Sequence, residues 1–246
     1  MVKKIAVVTG GNTGIGLATV QCLADNGFTT VVLGLGDDAG PAASGSAYYP
    51  CDVSIGSQVA AVFKSIQDSF GRVDVLVNNA GVLSYGDAVQ LSEDEWDRVM
   101  AVNVKGPWLC AKHAIPLMSA GSVVINVASV QSFVAQPLVA AYATSKAAIL
   151  GLTRSIAIDF SPRVRCVAVC PGTIDTPMLQ GALEQASDPD AMMEELNRAH
   201  LSGRIGTPEE VAELIAFLAG DKCPFINGQA IRVDGGLGVN IGGSKN

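Results

Sequence analysis

The chain has 246 residues, 49% of them hydrophobic and only 16% charged, which suits one large domain or two small ones and excludes a disordered chain. Sixteen basic against 23 acidic residues give a net charge of −7 with no basic run, which excludes a general binder of nucleic acid or of an anionic membrane surface. The low charged fraction points to surface buried between subunits.

The first apolar run, Lys4–Thr9, stops at Gly10. It is too short for a secretory signal and reads as a buried strand. Further strands are expected at Thr30–Leu35, Val73–Asn78, Ser122–Val127, Arg165–Cys170 and Ala230–Val233, with a weaker one at Ala47–Pro50. Most are rich in Val and Ile on both faces, as parallel strands covered by helices are. Helix-like stretches lie between them at Ile15–Asn26, Ser57–Phe70, Glu93–Met118, Tyr142–Phe160 and Pro208–Ala219. Ser92-Glu93-Asp94-Glu95 and Thr207-Pro208-Glu209-Glu210 read as capping boxes, the second with Pro at the first helical position. Gly27 and Gly71 follow helices.

Strand and helix alternate from end to end without a linker. The pattern predicts an α/β fold, a single doubly wound Rossmann-type domain over 1–246 with a seven-stranded parallel sheet and helices on both faces. Residues 178–203 break the rhythm. They carry Met178, Leu179, Met192 and Met193 and several acids, and they follow the carboxyl end of a strand. They read as a substrate lid, or as an insertion packed on its methionines. No apolar stretch approaches the length of a membrane span, so a soluble, cytoplasmic protein is expected. Cys22, Cys51, Cys110, Cys166, Cys170 and Cys223 sit in apolar surroundings and read as buried, reduced thiols. Cys166 and Cys170, about 13 Å apart along one strand, can share neither a metal nor a disulfide. His113 and His200 are isolated, and no metal site is expected.

Thr9-Gly10-Gly11-Asn12-Thr13-Gly14-Ile15-Gly16 joins the first strand to the first helix. Glycines let the backbone turn sharply and approach a pyrophosphate, and the helix N-terminus offers unpaired N–H groups. Asp52-Val53 follows the third strand, where an Asp can accept the adenine amino group or start a helix. Asn78-Asn79-Ala80-Gly81 ends the fourth strand with small residues on which a ribose or adenine can pack, or simply turns the chain. The second strand ends Gly34-Leu35-Gly36-Asp37-Asp38. An acid about 20 residues beyond the glycine turn bonds the ribose of NAD, whereas an Arg there receives the phosphate of NADP. Gly34 stands near that place, no base is close, and Asp37 is the expected ribose partner. NAD is therefore expected over NADP.

Tyr142 and Lys146 share one helix face. A free phenol has a pKa near 10, too high for a base at neutral pH, and a nearby ammonium lowers it. An ordinary surface pair has the same spacing. Here, however, Ser129 follows the fifth strand with a hydroxyl suited to a substrate oxygen, and Asn103 lies inside an apolar helix, where an amide is unfavourable by propensity.

Together these motifs resemble the short-chain dehydrogenase/reductase family. The glycine turn at 9–16, Asn78–Gly81, Asn103, Ser129, Tyr142 with Lys146, and Pro171-Gly172 occur in the family's order. Thr176-Pro177-Met178, Asn227-Gly228-Gln229 and Asp234-Gly235-Gly236 fit its C-terminal part. The resemblance implies that Tyr142 exchanges a proton with the substrate oxygen and that Ser129 polarises it. Lys146 would lower the Tyr142 pKa and bond the nicotinamide ribose, while Asn103 supports a water in a proton relay. The cofactor would meet Gly10, Asn12, Thr13, Gly14, Ile15 and Gly16 at its phosphates. Leu35, Asp37, Asp52, Val53, Asn79, Ala80, Gly81 and Val102 would line its adenosine half. Pro171, Gly172, Ile174 and Thr176 would border its nicotinamide. The resemblance also implies a homotetramer paired partly through the helices at 93–118 and 142–160. The segment between the second and third strands is short, so a helix common there is expected to be missing.

The expected reaction is hydride transfer between NAD and a secondary alcohol or ketone. Gln131 and Gln136, near Ser129, suggest a sugar or sugar acid; the methionines of 178–203 favour an apolar or cyclic alcohol. A non-catalytic nucleotide-binding regulator is the alternative outside enzymes.

Overall fold

The apolar runs become strands whose successive side chains enter two different cores. The computed structural model describes residues 3–36 and 45–239. Along the chain it forms β1 (Ile5–Thr9), α1 (Gly14–Asp25), β2 (Thr29–Gly34), β3 (Ala47–Pro50), α2 (Gly56–Phe70), β4 (Val75–Asn78), α3 (Glu93–Met100), α4 (Gly106–Ala114) and β5 (Ser122–Val127). It continues with α5 (Ala140–Phe160), β6 (Val164–Pro171), α6 (Pro177–Leu183), α7 (Pro189–Ala199), α8 (Pro208–Ala219) and β7 (Ala230–Val233). All strand pairings are parallel, in the order β3-β2-β1-β4-β5-β6-β7. Ile5 and Val7 of β1 pack with Phe63, Ile66, Leu109 and Ile156 from α2, α4 and α5. Ala6 and Val8 pack with Val20, Leu23, Ile215 and Leu218 from α1 and α8. Each aliphatic side chain so buried contributes about 1.5–3 kcal/mol, which explains the absence of polar alternation in these strands.

Strand order reverses between β1 and β4. That is the switch point at which the carboxyl ends of an open α/β sheet leave a crevice. Thr9 and Asn79 fix the two ends there: Thr9 Oγ1 accepts from the Asn79 and Ala80 N–H groups at 3.0 Å each, and Asn79 Nδ2 donates to Thr9 O at 3.0 Å. A buried polar ladder carries the register across the sheet. Asn78 Nδ2 donates to Asn126 Oδ1 at 2.8 Å, and Asn126 Nδ2 donates to Thr153 Oγ1 on α5 at 2.9 Å.

The helix expected over Glu93–Met118 is not continuous. A π-helical turn, Ala101–Lys105, separates α3 from α4, and Ile115–Leu117 close as a 3-10 turn. Pro107 has no N–H to offer Asn103 O, so the regular ladder fails there. The Gly106 N–H reaches back to Ala101 O instead. Ser92 caps α3 by accepting from Glu95 N at 3.2 Å, but the Glu95 carboxylate bonds Arg98, so that capping box is half made. Glu210 does reach back to the Thr207 N–H, at 2.9 Å. The segment 178–203, expected to be a lid or an insertion packed on its methionines, holds most of α6 and all of α7. The short connection between β2 and β3, with Asp37 and Asp38, falls outside the described residues. Among the described residues no helix is long and apolar enough to cross a membrane.

All six cysteines are free thiols, and all but Cys22 are fully buried. Burial pushes Cys51 and Cys170 up to about 11 and Cys166 up to about 12, and raises Cys110 as well. The unfolded chain ionises these thiols from about pH 9, so above that the folded state holds more protons and stability falls as pH rises. Lys146, lowered to about 8 by burial, acts in the opposite sense, but it is one group against these four and Cys22, which burial also raises, to about 11. The urea midpoint is expected to drop between about pH 8 and pH 10, and Cys110→Ala to flatten that slope. A midpoint that stays level over the interval would refute the assignment.

Candidate active site

The carboxyl ends of β1, β4, β5 and β6 surround a cavity of about 630 Å³. That volume lies within the usual range for a cofactor or ligand site. Gly10, Thr13, Gly14 and Ile15 enter it from β1 and α1, and Asn79, Ala80 and Gly81 from β4. Ser129, Gln131 and Gln136 enter from the segment after β5, Tyr142 and Lys146 from α5, and Pro171, Gly172, Ile174 and Thr176 from β6 and beyond. Five scattered motifs thus converge on one concavity because parallel strands all point their carboxyl ends the same way.

The glycine turn is built by steric demand. Gly10 and Gly14 have φ of +61° and +50°, a region that side chains disfavour. A Cβ on Gly16 would stand 2.0 Å from Gly10 O and 2.5 Å from Asn79 Nδ2. No side chain caps α1, so its first N–H groups remain for a ligand. Beyond β6, the Gly172 N–H donates to Val233 O, the Thr173 N–H to His200 Nε2 and the Asp175 N–H to Gly206 O. The intervening Ile174 N–H has no hydrogen-bond partner among the described residues. An uncapped helix start with glycines before it and one unspent N–H across the cavity fit a dinucleotide ending in a carboxamide.

At the reactive end, Ser129 Oγ accepts from the Gln131 N–H at 3.1 Å and lies close enough to the Tyr142 phenol to counter part of its pKa shift. The Lys146 ammonium lies 5.6 Å from the centroid of the Tyr142 ring and donates to Val127 O at 2.9 Å. Burial raises the phenol above its ordinary pKa, and the Ser129 hydrogen bond pulls it back in part. Burial also pushes Lys146 down to about 8. The expected lowering of the phenol by the Lys146 charge does not offset burial, which raises it on balance.

Asn103 is buried in the π-helical turn outside the cavity. Its Oδ1 accepts from the Val82 N–H at 2.8 Å, while Nδ2 donates to Val82 O at 2.9 Å and to Ser145 Oγ at 3.0 Å. The amide ties the segment after β4 to α5. A Cβ on Gly81 would meet Asn103 Oδ1 at 3.4 Å and Lys146 Nζ at 3.5 Å, so the two groups border one small gap.

Several expected cofactor residues lie elsewhere. Asp52 accepts from the Ser54 N–H and Oγ at 2.9 and 2.7 Å, a local turn outside the cavity. Val53 packs beneath Gly106, and Val102 packs on the core. Leu35 is exposed, and Asn12 stands beside Gly34, where a Cβ would meet Asn12 Cγ at 3.1 Å and Tyr48 Oη at 3.0 Å. Asp37 is not among the described residues. Met178 and Met192 of the expected lid line the cavity, whereas Tyr85, Glu195 and His200, which also line it, were not expected there. They belong to no motif; only the position of 178–203 after a strand end gave any signal for the last two.

A family model described as enoyl-(acyl carrier protein) reductase matches residues 10–238. The chain belongs to the short-chain dehydrogenase/reductase family. Ligand-free aldohexose dehydrogenase from Thermoplasma acidophilum superposes with a TM-score of 0.94 at 39% identity, over 99% of this chain and 97% of that one. The 2-(R)-hydroxypropyl-CoM dehydrogenase of Xanthobacter autotrophicus is 36% identical over 95% of this chain and 98% of its own. The 3beta-hydroxysteroid dehydrogenase of Mediterraneibacter gnavus is 34% identical over 96% and 95% respectively. Membership makes this protein an oxidoreductase that works on alcohols with a nicotinamide dinucleotide and a small-molecule substrate.

Gly16→Ala is expected to lower unfolding free energy by ~1–3 kcal/mol and to abolish dinucleotide binding, read by urea melts and by quenching of protein fluorescence. Unchanged binding would show that the turn tolerates a side chain and that its tightness does not hold the cofactor.

Proposed function

We propose that the protein interconverts a secondary alcohol and a ketone with NAD, on a small polyhydroxylated substrate such as a sugar or sugar acid. The observation that carries the substrate class is Gln131. Its Oε1 is buried, has no hydrogen-bond partner among the described residues and belongs to a residue lining the cavity. A buried acceptor without a donor costs about 1–3 kcal/mol, and a substrate hydroxyl removes that cost. Gln136 and Glu195 add polar groups to the same cavity, and the likeness to an aldohexose dehydrogenase agrees. Met178, Leu179 and Met192 favour a second reading, an apolar or cyclic alcohol.

The bound nicotinamide supplies the hydride acceptor and, when oxidised, a positive charge. Tyr142 takes the substrate's hydroxyl proton in oxidation and returns it in reduction. Ser129, whose oxygen already accepts from Gln131, donates to the substrate oxygen and steadies the charge that develops there. Lys146, anchored on Val127 O, has donors left for the nicotinamide ribose. The Asn103 amide holds the turn, and the gap it shares with Lys146 suits the relay water. Ile174 offers its N–H to the carboxamide, and α6 and α7 form the lid. The preference for NAD rests on the end of β2, where the Tyr48 hydroxyl donates to Leu35 O and Gly36 O at 3.2 and 2.8 Å. No Lys or Arg stands in the described part of that turn to receive a phosphate. The homotetramer and cytoplasmic location remain part of this proposal.

Tyr142→Phe is expected to cut turnover by at least ~10²-fold and leave dinucleotide affinity within a few fold; retained turnover removes Tyr142 from the role. Oxidation should quicken as pH rises from about 7 to 9, because a phenol held above its ordinary pKa gains base form throughout that range. Ser129→Ala, which removes the one interaction that lowers it, should displace the rise to higher pH. A level profile defeats the assignment. A panel of sugars, sugar acids, cyclic alcohols and hydroxyacyl compounds, run with NAD and with NADP, tests substrate and cofactor together. Gln131→Leu should raise KM for the sugar more than it lowers kcat.

A further inference from the structure

His200 terminates α7 and is 3% exposed, with its ring at the wall of the cavity. Nδ1 is 2.7 Å from Leu196 O, and Nε2 accepts from the Thr173 N–H at 3.2 Å. A carbonyl can only accept and an N–H can only donate, so the two partners fix one neutral tautomer, with the proton on Nδ1. The space for the ring comes from glycines. A Cβ on Gly172 would stand 2.9 Å from His200 Nε2, and one on Gly235 would stand 3.4 Å from its Cδ2.

The imidazole thus bridges the end of α7 to the strand exit from which Ile174 projects its unspent N–H. Gly206 holds the far side of that exit through the bonds to Thr173 O and Asp175 N, each within 3.0 Å. Among the described residues, the remaining hydrogen bond to the Thr173 backbone comes from His200. We propose that His200 is a positioning residue, which clamps the Thr173 peptide through Nε2 and so sets the backbone that receives the nicotinamide, while linking that backbone to the lid. The inference rests on the reading that Pro171–Ile174 borders the nicotinamide.

Asn and Gln separate the two halves of the clamp. His200→Asn puts an amide where Nδ1 was and keeps the bond to Leu196 O, but it has no group at the Nε2 position. His200→Gln puts an acceptor there. In cofactor-free protein, His200→Asn should speed amide hydrogen exchange in 172–176 about tenfold, and dinucleotide Kd should rise by a similar factor. His200→Gln should return both to within about threefold of the parent. Equal effects of the two variants, or unaltered exchange in His200→Asn, would overturn the proposal in favour of a packing role. The parent protein gives a readout that needs no variant to fold: it has only two histidines, and long-range proton–nitrogen spectra should show the His200 proton on Nδ1. A proton on Nε2 overturns the clamp. Should neither NAD nor NADP bind the parent protein, the functional reading fails, while the exchange and tautomer measurements still decide whether His200 holds Thr173.

Discussion

Burial sets the balance of charge around Tyr142 and Lys146. The two lie side by side at the cavity, where burial disfavours the charged form of each, raising the phenol and lowering the amine to about 8. What remains to direct protons is hydrogen bonding: Ser129 on the phenol, Val127 O on the amine, and the Gln131 peptide on Ser129. Such bonds work only at fixed distances. The structure therefore spends its buried polar groups on holding backbone, through Asn103 on Val82, Thr9 on Asn79 and Ala80, and Asn126 on Thr153.

The two ends of the cavity are made by different means. At the glycine-turn end, positions without a Cβ create the shape, and the backbone itself supplies the donors. Gly16 has no room for even a methyl group. At the substrate end, side chains from three separate segments face one another, among them Gln131, Tyr85 and Glu195. The first end is suited to a ligand shared by a whole family. The second can differ between members without disturbing the first, in keeping with the different substrates named for the relatives.

This division explains what the sequence discloses. Six of the seven strands announce themselves by continuous Val and Ile, because both faces of the sheet are covered. The exit of β1 is legible because Gly10, Gly14 and Gly16 answer local steric demands. The break at Asn103 was legible in principle, since Pro107 removes the donor that the regular ladder needs, but the long apolar pattern on either side hid it. The fate of the Tyr142–Lys146 pair was not legible, since spacing reveals which groups meet but not how much water they keep. His200 looked isolated because its partners, Leu196 O and Thr173 N, are backbone atoms, which carry no sequence signature. Glu195 and Tyr85 reach the cavity only through the path of the chain.

Among the helices, α7 stands apart in burying none of its own residues, whereas the neighbouring α8 buries half a dozen. Replacements along most of α7 therefore cost the folded state little. Under the proposed function, a lineage of such proteins can rewrite the outer face of this stretch, trying new alcohols one mutation at a time, while the strand ends beneath are inherited intact.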